Sequence, residues 1–107
     1  RGALADRGNT LVEVTPEEHD EAMRTVQGRA HAAVLAFGLA AEEVPEGLET
    51  PVYEALSEVL AQVTGGTPRV YADIQAAFDG ADDVAAAARR IAGADREAFA
   101  DLYEDAR

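Results

Sequence analysis

The chain has 107 residues, enough for one domain with a modest core. Asp and Glu total 21 against 9 basic residues, for a net charge of −12, and there is no Cys. Charge of this sign repels phosphate backbones and anionic membranes, which argues against nucleic acid and membrane as partners; the lack of thiols excludes disulfides, thiolate metal sites and Cys nucleophiles.

All nine basic residues are Arg, with no Lys. Self-repulsion of 21 carboxylates weakens a compact state in dilute buffer, and concentrated salt screens it. An Ala-rich, Lys-free, acid-coated chain reads as halophilic; the alternative is an ordinary acidic protein of a GC-rich genome. No run of about 20 apolar residues is present to span a membrane, and the first residues lack the basic-then-apolar layout of a signal peptide. The chain opens at Arg1 without Met, which reads as a piece of something longer.

Asn9–Val14 alternates polar and apolar like a short strand. No second strand pattern follows. Thr15-Pro16-Glu17-Glu18 supplies a cap, a Pro at the first helical position and a capping-box Glu. A long helix over 16–42 follows, with Met23, Val26, Ala30, Ala33, Val34 and Phe37 at helical spacing. Val44-Pro45-Glu46-Gly47-Leu48 is a turn-rich connection. Thr50-Pro51 opens a helix over 51–64, Gly65-Gly66 stops it, and Thr67-Pro68 opens another over 68–78. Asp79-Gly80 and Gly93 separate two more, over 81–92 and 94–105. The expected fold is an all-α bundle of about five helices.

Three stretches taken in order carry a family likeness. They are Val14-Thr15-Pro16-Glu17-Glu18-His19-Asp20 with Val26-Gln27-Gly28-Arg29-Ala30-His31, then Thr50-Pro51-Val52-Tyr53-Glu54, then Thr67-Pro68-Arg69-Val70-Tyr71-Ala72-Asp73-Ile74-Gln75. Together they resemble the C-terminal helical domain of prephenate dehydrogenases, particularly the archaeal forms, over about residues 9–105. The resemblance implies a 6-phosphogluconate-dehydrogenase-like helical domain at 15–107 that forms a homodimer and helps wall the prephenate pocket. It makes residues 1–14 the remnant of a preceding Rossmann-like domain that binds NAD or NADP. The implied reaction, in a cytoplasmic enzyme, is oxidative decarboxylation of prephenate to 4-hydroxyphenylpyruvate, in tyrosine synthesis. The family's catalytic His then lies outside this chain, and the chain alone is expected to be inactive. Gly65-Gly66 has no strand before it, so it is no phosphate cradle.

The resemblance places His31 on the prephenate pocket, where an imidazole donates to a substrate oxygen. On a helix His31 shares a stripe with Gln27, Gly28 and Leu35; by pattern alone it reads as a packed histidine with a satisfied partner. Gln62 stands where many family members carry an Arg that grips a prephenate carboxylate. An amide cannot make the two charge-assisted bonds of a guanidinium, so either another residue supplies the cation, with Arg69 and Arg29 as the nearby candidates, or substrate binding is weak or altered; each Arg alone reads as a solvated surface charge. Tyr53 and Tyr71 read as packing residues. Asp20 suits a helix N-terminus. His19 lies about 18 Å along the helix from His31 and about 120° around it, so the two share no metal, and no metal site is expected. Asp79, Asp82 and Asp83 lack EF-hand spacing and read as a solvated acidic face. Arogenate as substrate, or a non-catalytic helical dimerisation or regulatory module, are the other readings; Gln62 favours the module.

Overall fold

Thr15 begins the helical part of the chain through a reciprocal cap. Its hydroxyl accepts from the Glu18 N–H at 3.0 Å, and its own N–H donates to Glu18 Oε1 at 2.9 Å, so two end donors that no helix carbonyl can reach are satisfied. The computed structural model describes residues 13–107. The expected strand over 9–14 lies mostly outside them; Glu13 and Val14 run in irregular backbone.

Helix α1 (Pro16–Met23) passes into a wide helical turn (Arg24–Arg29) and then into α2 (Ala30–Ala40). In the wide turn the Ala30 N–H reaches back five residues to the Thr25 carbonyl, the spacing of a π-helix. The expected long helix is therefore present over 16–40, with one interruption that its apolar spacing did not announce. Helices α3 (Pro51–Thr64), α4 (Pro68–Ala77), α5 (Ala81–Gly93) and α6 (Arg96–Ala106) complete an all-α fold with no strand among the described residues.

The starts of α3, α4 and α5 fall where the Thr-Pro and Asp-Gly signals put them. Thr50 Oγ1 accepts from the Tyr53 N–H at 3.3 Å. Thr67 makes no side-chain cap, and there the Pro at the first helical position and the Thr67 carbonyl, which accepts from Val70 N–H at 3.0 Å, set the start. The last helix begins two residues later than expected because Asp95, not Gly93, is its cap: Asp95 Oδ1 accepts from the Ala98 N–H at 2.8 Å.

Helix α2 packs most extensively on α3. Gly38 makes room for Leu60, whose Cδ1 would lie 2.7 Å from a Cβ at that position. Phe37 meets the Tyr53 ring edge-on, with centroids 6.2 Å apart. The wide turn is held from the other side by α4 and α5.

The interior is thin. Val63, 7% exposed, is the one buried large hydrophobic residue among those described. Helix α2 carries no charged residue and is apolar on every face apart from His31, the pattern of a helix enclosed on all sides. Yet Leu39 is 89% exposed. Val52, Ile91, Phe99 and Tyr103 are also exposed. No helix among the described residues is long and apolar enough to cross a membrane.

Candidate functional site around His31

The wide turn and α4 bring together the residues of most chemical interest. His31 sits in the first turn of α2, half-buried on the same face as Gln27, Gly28 and Leu35. Its ring meets the Tyr71 ring edge-on, with centroids 5.1 Å apart and planes at 82°. His31 Nδ1 is buried and has no hydrogen-bond partner. A buried polar atom left unpaired costs about 1–3 kcal/mol, and among the described residues this is the one buried side-chain nitrogen or oxygen without a partner.

Tyr71 is in turn backed by the α3–α4 turn. A Cβ on Gly66 would stand 3.0 Å from Tyr71 Cε2, so the glycine at 66 lets the ring come close to the turn. Beside Tyr71 is an open cavity of about 320 Å³ lined by Leu35, Val63, Gly66, Pro68, Tyr71 and Gln75, among others. Its wall is almost wholly apolar, suited to the ring face of a small molecule and not to a carboxylate.

The other candidates lie apart from this cluster. Gln62 is exposed on α3, one residue before the buried Val63. Arg69 is exposed in the first turn of α4, next to the cavity-lining Pro68. Among the described residues neither side chain makes a hydrogen bond or ion pair. Arg29 is committed elsewhere: its Nε and Nη2 donate to Asp83 Oδ2 at 3.0 and 2.9 Å, and its Nη1 donates to Thr25 Oγ1 at 2.7 Å. Asp83 is thus an ion-pair partner of the wide turn and not part of a merely solvated face. His19 lies exposed in α1 with its Nδ1 3.5 Å from Asp20 Oδ1. No group of three or more His, Asp or Glu among the described residues is arranged to hold a metal ion.

Sequence reasoning placed Gly28 on the small-residue face beside His31 but gave Gln75 no role. Gln75 Nε2 donates to the Gly28 carbonyl at 2.9 Å in a part-buried contact. Gly28 itself is buried, and a Cβ there would fall 1.8 Å from the Phe78 carbonyl oxygen. A glycine inside an otherwise regular helix pattern, as at 28 and 38, is the signal for such a close approach.

The described residues offer no strand, glycine turn and helix in succession to cradle a dinucleotide pyrophosphate; Gly65 and Gly66 join two helices, and Gly66 packs on Tyr71. They do not fit a nicotinamide cofactor.

Comparison with known proteins gives the class: the chain is related to dehydrogenases of the prephenate and arogenate type. One relative is the 4-amino-4-deoxyprephenate dehydrogenase of Streptomyces pristinaespiralis, 36% identical over a 118-position alignment that takes in 97% of this chain and 40% of the relative. Another is a probable arogenate/prephenate dehydrogenase of Methanocaldococcus jannaschii, 31% identical over 78 positions, 67% of this chain and 18% of the relative. The chain spans less than half the length of either. No family model matches it. No solved structure matches it either.

Proposed function

We propose that this chain is the helical part of a prephenate-type dehydrogenase, that it walls the substrate pocket around His31, and that it pairs with a second copy. The whole enzyme would oxidise and decarboxylate prephenate with NAD or NADP bound by residues outside 13–107. The observation that carries the site is the buried, unpaired Nδ1 of His31 beside the Tyr71 ring. For a substrate oxygen to supply the missing partner, the His31 ring has to turn toward the apolar cavity beside Tyr71, whose lining as it stands does not include His31; that cavity then takes the ring of the substrate.

Prephenate is a dicarboxylate, and a chain of net charge −12 has to meet it with a placed cation. With Arg29 held by Asp83, Arg69, next to the cavity-lining Pro68, is the cation best placed for that role. Gln62 offers only an amide. Arogenate and 4-amino-4-deoxyprephenate are the neighbouring substrates that the relatives' names suggest, and assay of all three distinguishes them.

In the full-length protein, His31→Ala is expected to lower kcat/KM for prephenate about 10–100-fold, the effect of losing one hydrogen bond to a charged ligand. Helicity is expected to survive, because Ala suits a helix interior. Gln62→Arg is expected to tighten prephenate binding by restoring a bidentate carboxylate grip. Unchanged kinetics in His31→Ala together with no gain in Gln62→Arg would refute the pocket. The favoured description would then be a helical dimerisation module, a reading that the many exposed apolar side chains also support.

A further inference from the structure

Two contacts join the long helix to α4, one turn apart on each side. Gln75 Nε2 donates to the Gly28 carbonyl at 2.9 Å, and Tyr71 meets His31 edge-on at 5.1 Å. Positions 71 and 75 share a face of α4 by i,i+4 spacing, and positions 28 and 31 share a face of the long helix by i,i+3 spacing. Between residues 24 and 29 the long helix is wound wide. A wide turn holds more residues than an ordinary one, so its presence rotates everything after it relative to α1. His31 is among the first residues after it.

We infer that Gln75 is a positioning residue for His31: by holding the Gly28 carbonyl it fixes the wide turn and thereby the direction in which the imidazole faces. The inference rests on the reading of His31 as the ligand-facing group. Gly28 brings its carbonyl within reach because no Cβ separates it from the end of α4, where the Phe78 carbonyl lies. Gln75 has no competing polar partner among the described residues. It stands between the cavity lined by Leu35 and Tyr71 and a second apolar groove lined by Ala32, Leu39 and Val84. An amide in that position is held to one acceptor, and the acceptor lies three residues before His31. A residue that only stapled α4 to the long helix would contribute to stability without reference to His31. A positioning residue acts through His31 and loses its effect when the imidazole is gone.

A double-mutant cycle on the full-length protein separates the two. Prephenate is the probe, its affinity measured by calorimetry without nucleotide, alongside kcat/KM and melting temperature. Gln75→Met, which removes the donor at similar size, is expected to weaken prephenate binding about 10-fold. In a His31→Ala background, Gln75→Met is expected to cost no further affinity. Equal losses in both backgrounds overturn the inference, as does unaltered binding in Gln75→Met when His31→Ala alone weakens it. Unaltered binding in His31→Ala instead overturns the reading of His31 itself. Should Gln75→Met fail to fold, Gln75→Asn, which keeps the amide but shortens its reach by one methylene, takes its place in the same cycle.

Discussion

Gly28 and Gly80 lie against each other with no room for a side chain on either. A Cβ on Gly28 would stand 1.8 Å from the Phe78 carbonyl oxygen, and a Cβ on Gly80 would stand 2.8 Å from Arg29 N and 3.0 Å from the Gly28 carbonyl carbon. The turn between α4 and α5 is thus pressed onto the wide turn of the long helix, backbone against backbone.

Substitution at this crossing is expected to be severe. Gly28→Ala drives a methyl into a backbone oxygen that cannot swing aside, and a loss of about 3 kcal/mol is expected, seen as a fall of more than about 10 °C in melting temperature. Gly93→Ala is the control. A Cβ there meets nothing within 4 Å, and the residue ends α5 at an ordinary φ; a gain of about 0.5–1 kcal/mol is expected from helix propensity. Equal effects at the two positions would refute the close crossing.

The pair Arg29–Asp83 ties the wide turn to α5 across 54 residues of sequence. Its side chains are 38% and 55% exposed, so solvent screens it, and a double-mutant cycle with Arg29→Met and Asp83→Asn is expected to return about 0.5–1 kcal/mol of coupling in dilute buffer. Molar salt is expected to shrink that coupling. A coupling of zero in dilute buffer would mean that the two side chains do not act together.

Salt is expected to act in the opposite direction on the chain as a whole. With 21 carboxylates against nine Arg, the summed repulsion outweighs one screened pair, so melting temperature is expected to rise from dilute buffer to molar KCl. A flat or falling melting temperature over that range would remove the halophilic reading.

Light scattering in molar salt is expected to give a two-fold dimer. Helix α2 is apolar on every face apart from His31, yet Leu39 is 89% exposed; association of two copies through this helix would cover it. Leu39→Asp, which sets a charge in the last turn of that helix, is expected to shift the protein to monomer at the same concentration. A wild-type protein that stays monomeric at high concentration would count against the pairing.

What the sequence determined by itself is the set of helices and where they start. The caps at Thr15 and Thr50 and the prolines at 16, 51 and 68 act within four residues, so their consequences are local and legible. It also placed Gln27, Gly28, His31 and Leu35 on one face, and carried enough likeness in its Thr-Pro segments to point to the dehydrogenases its relatives turned out to be. Tertiary structure alone decided which partner each face meets. Arg29 reads as a free cation until the fold brings Asp83 to it, and Gln75 reads as an ordinary helix residue until α4 lies against Gly28. The wide turn belongs to the same class: local spacing favours an unbroken α-helix, and the contacts of Gly28 with the end of α4, of Gln75 with its carbonyl and of Arg29 with α5 support the wider winding. Those contacts join residues 47 and 54 positions apart, and no pattern confined to a few turns of helix encodes which distant segment arrives.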